Sequence, residues 1–224
     1  ITGYIGSREA YPIVIKGLQR LEYRGYDSAG IMLFDGEKPN VFKTKGKVVD
    51  LEAIVSEDAK KGMICIGHTR WATHGVPNDT NSHPHVSNSG ELTVVHNGII
   101  ENYDAIKKEL LERGYTFHSD TDTEVLVNLI EEVQKVNSCK LGKAVQLALN
   151  QVIGAYAITV FDTKKPNELV VAKLGSPLAI GVGEDNKEFF VASDASPFIE
   201  YTKNAVYLED EELAIIKIGR DIRI

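Results

Sequence analysis

The chain lacks the features that mark several large protein classes. Only two cysteines, Cys65 and Cys139, occur among 224 residues, and they form no CxxC pair. This argues against a disulfide framework and fits a protein of the reducing cytoplasm. No apolar run reaches membrane-spanning length, and we expect no membrane partner. The net charge of −7 shows no basic excess, so nucleic acid is not expected as a partner either.

Metal-binding patterns are also scarce. Six histidines are present, but none has the HExxH spacing of a zinc helix. His83-Pro84-His85 could hold a metal ion, although the proline between the two imidazoles more simply predicts a rigid loop. We expect no metal ion and no cofactor.

What the chain contains is the composition of an ordinary globular protein, with 43% hydrophobic and 25% charged residues. Apolar strand patterns occur near both ends and helical patterns lie between them, which favours an α+β layered fold over a βαβ repeat. The patterns predict a helix over residues 48–59, a strand over 63–66, a polar loop over 76–90, and a strand from Leu92 that ends at Asn97-Gly98. No linker or repeat divides the sequence, so we predict one domain over residues 1–224.

The most informative stretch is Gly67–Gly75 (GHTRWATHG), which follows the apolar run Met63–Ile66. The guanidinium of Arg70 suits bidentate recognition of a carboxylate or phosphate. Trp71, the only tryptophan, could close over the bound group. The structural alternative is that Arg70 forms a buried ion pair and Trp71 fills core.

Two other positions supply polar groups beside predicted element ends. The Asn97 side chain and the Gly98 N–H could donate to a developing oxyanion, because glycine allows close backbone approach. Thr121–Glu124 (TDTE) has the form of a capping box, so a helix should begin there with Asp122 in its first turn. Arg70 and Asp122 together could bind the carboxylate and ammonium groups of a free amino acid. Alternatively, Asp122 only stabilises the helix through its dipole.

These residues belong to a set of motifs that together resemble one known domain, the glutaminase domain of glucosamine-6-phosphate synthase. The resemblance covers essentially the whole chain, and the stretch from Tyr23 to Gly30 is its most specific part. The motifs are Arg24–Gly30 (RGYDSAG), His68–Gly75 (HTRWATHG), His83–His85 (HPH), His96–Asn102 (HNGIIEN), Thr121–Glu124 (TDTE) and Gly175–Leu178 (GSPL).

The resemblance implies an N-terminal-nucleophile hydrolase that hydrolyses glutamine to glutamate and ammonia. The implied fold is α+β, a four-layer αββα sandwich with mainly antiparallel sheets. The implied parent enzyme also carries a C-terminal sugar-phosphate isomerase domain, not present in these 224 residues, which uses the ammonia and fructose 6-phosphate to make glucosamine 6-phosphate. The parent is expected to be a homo-oligomer, and this domain alone is expected to make no amino sugar.

The resemblance also implies residue roles. Arg70 holds the α-carboxylate of glutamine, Asp122 holds its α-ammonium, and Asn97 with Gly98 forms the oxyanion hole. The remaining substrate-binding residues are expected to be Arg24 near the nucleophile, Trp71, Thr73 and His74 in the lid and gate, and His83. For Arg24 and His74, these roles come from the resemblance alone.

The family pattern departs from the chain at the nucleophile. The mature family sequence begins Cys-Gly-Ile-x-Gly, and this chain matches it from Ile1, so the cysteine is expected two residues before Ile1. Its thiolate would attack and its α-amine, which titrates near pH 8, would act as the base. Cys65 and Cys139 have no free α-amine, and Thr2 is out of register.

Two alternatives to this function stay open. One is the glutaminase domain of another amidotransferase, such as the phosphoribosyl-pyrophosphate enzyme, although the stretch from Tyr23 to Gly30 speaks against it. The other is a non-catalytic glutamine-binding domain, which would apply if no cysteine precedes Ile1.

Overall fold

The computed structural model describes residues 1–73 and 75–224. The strands in this part of the chain are β1 (Thr2–Ile5), β2 (Ser28–Phe34), β3 (Pro39–Lys45), β4 (Ile64–Arg70), β5 (His85–Val86), β6 (Leu92–Ile100), β7 (Gly154–Asp162), β8 (Glu168–Leu174), β9 (Ala179–Val182), β10 (Phe189–Ala192), β11 (Ala205–Tyr207) and β12 (Leu213–Lys217). The α-helices are α1 (Ala10–Leu21), α2 (Val48–Ile54), α3 (Tyr103–Glu112), α4 (Asp122–Asn137) and α5 (Leu141–Leu149).

The strands form two sheets in which neighbouring strands run antiparallel. The larger sheet has seven strands in the order β11-β9-β10-β1-β4-β2-β3, and the smaller has five in the order β12-β8-β7-β6-β5. Helices α1 and α2 pack on the larger sheet, whereas α4 and α5 pack on the smaller one. The predicted four-layer αββα sandwich is therefore confirmed.

Three apolar cores separate these layers. The central core lies between the sheets and contains Ile66, Phe161 and Val171, while each outer core lies between one sheet and its helices. Because successive strand residues face opposite sides, Ile64 and Ile66 of β4 face the central core and Cys65 faces the α1 side. Both faces of the first half of β4 are covered, which is why residues 64–66 are all apolar.

The predicted start of α4 is confirmed. Thr121 is the N-cap residue, and its Oγ1 accepts a hydrogen bond from the Glu124 N–H at 3.2 Å. The carboxylate of Glu124 accepts hydrogen bonds from the N–H groups of His118 and Ser119, so it fastens the loop before the helix. No helix of the described residues is both long and apolar enough to cross a membrane.

Four sequence-based boundaries were wrong. The strand predicted over residues 63–66 begins at Ile64 and continues to Arg70, since these residues pair with β2. The helix predicted over residues 48–59 ends at Ile54, because Val55 is extended (φ −90°, ψ 115°) and only a short 3-10 turn follows. The polar loop over 76–90 contains β5, whose pairing with β6 no local pattern announces. Strand β6 continues through Asn97 and Gly98 to Ile100, since these residues pair with β7.

The central core should carry much of the stability. Phe161 is fully buried, and its ring centroid lies 5.1 Å from that of Phe34 across the two sheets. We expect Phe161→Ala to lower the free energy of unfolding by about 3–5 kcal/mol, because it removes buried area and leaves a cavity. Urea unfolding monitored by circular dichroism measures this change. Val136→Ala on the exposed face of α4 is the control and should change it by less than about 0.5 kcal/mol; equal effects would contradict the prediction.

Candidate active site

A cavity of about 280 Å³ lies where β4 and β6 meet the first turn of α4. The predicted site residue His74 lies outside the described residues, so the structure says nothing about it. All the other predicted site residues line the cavity: Arg24, Arg70, Trp71, Thr73, His83, Asn97, Gly98 and Asp122.

Arg70 is the last residue of β4 and is only 3% exposed. Its Nη2 donates to the Gly75 carbonyl oxygen at 3.4 Å. Burial lowers the pKa of this guanidinium, although the nearby carboxylates of Asp27 and Asp122 act in the opposite direction. The protein therefore holds a buried cation in the cavity wall, where an anionic group would find little competition from water.

The loop after β4 is fastened to the loop before β2. The N–H of Asp27 donates to the Arg70 carbonyl oxygen at 2.8 Å, and Asp27 Oδ2 accepts from the Ala72 N–H at 2.6 Å. Between these bonds, Trp71 lies at the cavity rim with 69% of its surface exposed, and its ring lies against Gly25. The alternative that Trp71 fills core is therefore wrong.

The backbone of β6 faces the cavity because its neighbour β5 is so short. Pairing with β5 covers only Thr93 and Val94. Farther along the same edge, the His96 N–H donates to His83 Nδ1 at 3.3 Å and the Ile100 N–H donates to Asp122 Oδ2 at 2.7 Å. Backbone N–H groups two residues apart point to the same side of a strand, so the Gly98 N–H between them points towards the cavity.

Gly98 could not be another residue without rearrangement. Its φ is +121°, a conformation that strongly favours glycine. A Cβ atom there would also lie 2.1 Å from the carbonyl oxygen of Ala155 on β7. The close contact with β7 and the exposed N–H therefore occur at the same residue.

The side chain of Asn97 is held from two directions. Its Oδ1 lies 2.7 Å from Nε2 of His68, and its Nδ2 donates to Ser193 Oγ at 3.0 Å. An amide nitrogen carries two hydrogens, so a second N–H of Asn97 is available beside the Gly98 N–H. Two donors on consecutive residues are the arrangement that stabilises an oxyanion.

Arg24 borders the cavity from the side of the larger sheet. Its Nη1 lies 3.9 Å from Asp194 Oδ2, and the hydroxyl of Tyr23 donates to the same oxygen at 2.9 Å. The side chain is 42% exposed, so this ion pair contributes little to stability.

Four buried histidines, His68, His83, His85 and His96, form the floor behind the cavity. The rings of His68 and His83 are stacked with centroids 4.1 Å apart, and His85 lies edge-on to His83 at 5.0 Å. Burial is the main reason that the pKa values of His68, His83 and His85 lie well below 6.5. These imidazoles are therefore neutral. Within residues 1–73 and 75–224, no three His, Cys, Asp or Glu side chains are arranged to hold a metal ion.

Sequence reasoning missed three residues of the cavity wall. Thr123 and His68 appeared only as parts of motifs, and Ser193 appeared in none of them. Thr123 lies two residues after the predicted N-cap, which was a usable signal. Ser193 follows β10, and only the pairing of β10 with β1 brings it to the site; no local pattern could have indicated it.

Comparisons with known proteins agree with this geometry. Residues 49–218 match the family model of the glutamine amidotransferase domain. The chain belongs to this family. The amidotransferase domain is 56% identical over 225 residues to the glutamine–fructose-6-phosphate aminotransferase (isomerizing) of Bacteroides thetaiotaomicron, covering 100% of this chain and 36% of that protein. The enzyme of the same name from Chlorobaculum tepidum is 52% identical over 96% of this chain and 35% of its own length.

A solved structure gives the same family relationship at lower identity. The glutamine phosphoribosylpyrophosphate amidotransferase from B. subtilis, complexed with ADP and GMP, superposes with a TM-score of 0.81 at 31% identity, covering 99% of this chain and 48% of that one. The amidotransferase domain thus shares the N-terminal-nucleophile fold of that enzyme. The chain spans about a third of the length of the curated relatives it matches.

The neutral histidines should make stability depend on pH. In the unfolded chain each imidazole takes up a proton near pH 6.5, whereas burial keeps the folded pKa values lower. The contribution of these histidines to the free energy of unfolding should therefore be constant above about pH 7 and fall as the pH decreases below about 6.5.

Urea unfolding of the wild type and of His85→Gln, at about pH 7.5 and about pH 5.5, measures this dependence. His85→Gln removes one of the titrating groups, so its free energy of unfolding should fall less steeply, by up to about 1.4 kcal/mol per pH unit. The same slope in both proteins would contradict a neutral, buried His85.

Proposed function

We propose that residues 1–224 form one glutaminase domain, which hydrolyses glutamine to glutamate and ammonia. The observation that carries this proposal is the convergence of four groups on one cavity: the buried cation of Arg70, the carboxylate of Asp122, and the N–H donors of Asn97 and Gly98. The first two match the charges of a free α-amino acid. The other two can donate hydrogen bonds to the side-chain amide oxygen of glutamine as it gains negative charge.

Substrate recognition begins with the charged ends of glutamine. Arg70 binds the α-carboxylate and Asp122 binds the α-ammonium. Asp122 is positioned for this because its Oδ2 accepts the Ile100 N–H, which holds its carboxylate in the wall of the cavity. Trp71, Thr73 and His74 belong to the loop that closes over the substrate.

Two further residues complete the proposed site. Arg24 contributes to the surroundings of the nucleophile from the rim of the cavity. His83 forms part of the floor beneath the substrate, since it lines the cavity and stacks on His68.

The nucleophile of this mechanism is a cysteine two residues before Ile1. In β1, Thr2 pairs with Gly67 of β4, and an extension of this antiparallel register would bring such a cysteine level with Arg70. The thiol proton passes to the cysteine's own α-amine, and the thiolate attacks the amide carbon. Asn97 and Gly98 bind the oxyanion, the carbon–nitrogen bond breaks, and the α-ammonium returns the proton to the departing ammonia. Water then hydrolyses the γ-glutamyl thioester.

The parent protein is proposed to be a cytoplasmic, homo-oligomeric glucosamine-6-phosphate synthase. The names of the two relatives support the synthase activity, since both describe an isomerizing aminotransferase of glutamine and fructose 6-phosphate. In such a protein, a C-terminal isomerase domain combines the ammonia with fructose 6-phosphate. Residues 1–224 alone should make no glucosamine 6-phosphate.

A second candidate is the glutaminase domain of a phosphoribosylpyrophosphate amidotransferase. The structural match to the B. subtilis enzyme favours it. The identity is 31%, however, against 56% for the Bacteroides aminotransferase. Supplying glutamine with either fructose 6-phosphate or phosphoribosyl pyrophosphate to the full-length protein, and identifying the aminated product, distinguishes the two.

Labelling by a glutamine-mimicking electrophile tests the glutaminase proposal directly. Full-length protein should take one label per chain, on a cysteine two residues before Ile1, and lose its glutaminase activity in parallel. Cys65 serves as an internal control, because burial raises the pKa of its thiol and keeps it unreactive. Absence of a label at that position, in a protein that binds glutamine, would favour a non-catalytic domain.

Asn97→Ala should lower kcat for glutamine hydrolysis by about 100- to 1000-fold, the usual effect of losing one oxyanion donor. Steady-state release of glutamate measures this rate. Asn150→Ala, at the exposed end of α5, is the matched control and should retain full activity. An unchanged kcat in Asn97→Ala would exclude the proposed oxyanion role.

Arg70→Ala should act mainly on binding. Loss of a charge-assisted bond to the α-carboxylate should raise KM by about 10- to 100-fold and lower kcat much less. Arg113→Ala is the control, since Arg113 forms an exposed ion pair with Glu132 outside the cavity. If Arg70→Ala keeps the wild-type KM, Arg70 does not bind the carboxylate.

A further inference from the structure

Asn97 can act as an oxyanion donor only if its amide nitrogen, and not its amide oxygen, faces the cavity. A 180° rotation of the amide group exchanges Oδ1 and Nδ2 with almost no change of shape. Only one of the two orientations keeps a nitrogen next to Gly98 and the cavity. The other presents an oxygen, which would repel a developing oxyanion. Some neighbouring group must therefore select the orientation.

Ser193 cannot make this selection. Its hydroxyl lies 3.0 Å from Asn97 Nδ2, but a hydroxyl can donate or accept, and its other acceptor, the Ile1 carbonyl oxygen, is 3.5 Å away, so it favours neither end of the amide strongly. His68 is different, because a neutral imidazole nitrogen either donates or accepts. Its Nε2 lies 2.7 Å from Asn97 Oδ1.

The surroundings of His68 determine which nitrogen carries its proton. Nδ1 is buried and has no hydrogen-bond partner in the described part of the chain. A proton on Nδ1 would thus be a buried donor without an acceptor, which is costly. A proton on Nε2 instead donates to Asn97 Oδ1. The Nε2-protonated tautomer is therefore the stable one, and it accepts only the orientation in which Oδ1 faces His68.

The ring of His68 is itself held in place by His83. The two rings are stacked with only 13° between their planes. His83 Nδ1 accepts the His96 N–H, so the proton of neutral His83 lies on Nε2, 3.4 Å from Thr123 Oγ1. The stack is therefore anchored to the backbone of β6 and to the first turn of α4.

We propose that His68 is a positioning residue for the glutaminase reaction, which fixes the amide of Asn97 with its nitrogen towards the substrate carbonyl. The proposal rests on the glutaminase function and on Asn97 as an oxyanion donor. His68 acts through Asn97 and neither attacks nor protonates the substrate. Its loss should affect the rate of the chemical step and leave the binding of glutamine nearly unchanged.

Two substitutions of similar size test this in the full-length protein. Glutamine can present an N–H near the position of the imidazole Nε2, whereas the shorter asparagine cannot reach Asn97. We expect His68→Asn to lower kcat for glutamine hydrolysis by about 10- to 100-fold, less than or similar to the loss of the donor itself, with KM within about threefold. His68→Gln should recover part of the rate, because its amide can donate to Asn97 Oδ1 but, unlike the imidazole, can also turn and accept. Equal rates for the two variants would overturn the proposal.

A double substitution separates positioning from general damage to the fold. His68→Leu should lower kcat in the wild type but cause less than about a threefold change in an Asn97→Ala background, because the amide it positions is already gone. Equal reductions in both backgrounds would overturn the proposal.

Folding and function are read out separately. Thermal unfolding shows whether each variant is folded, and the Asn and Gln pair decides the matter if His68→Leu is not. A wild-type protein without glutaminase activity would overturn the proposed function. An active wild type whose kcat is insensitive to His68 would overturn only the role of His68.

Discussion

The geometry of the site depends on the short length of β5, which pairs with only two residues of β6. Buried backbone N–H groups need acceptors, and β5 supplies them to β6 for only two residues. Beyond that point His83 and Asp122 accept the N–H groups of His96 and Ile100. The backbone between them, at Gly98, faces the cavity. The requirement that every N–H be satisfied thus brings an imidazole and a carboxylate to fixed positions on either side of the place where a substrate oxygen would bind.

A close contact also links this part of the site to the larger sheet. The carbonyl oxygen of His83 comes so close to Gly30 on β2 that a Cβ at that position would lie 1.8 Å from it. Only a glycine permits this contact. Strand β2 of the larger sheet therefore packs directly against His83 of the histidine floor. Polar networks of this kind contribute to a unique structure only when each member finds its partner.

Sequence and structure agree where local signals are strong. Apolar patterns located β4 and β6, and the capping pattern located the start of α4 at Thr121. Arg70, Asn97 and Asp122 were grouped because their side-chain chemistry suits one ligand, and the fold does bring them to one cavity. What local patterns could not supply are contacts between distant segments: the pairing of β5, the stack of His68 on His83, and the approach of Ser193. Each of these contacts depends on the order of the strands in the two sheets, which cannot be predicted from a short stretch of sequence.

The position of Trp71 has a practical consequence. It is the only indole in the chain, and it lies exposed at the rim of the cavity against Gly25. The tryptophan emission of these 224 residues therefore originates from a single point beside the site, with no background from other indoles. Trp71 is therefore an intrinsic fluorescent probe, and its emission spectrum reports the solvent exposure of the cavity rim.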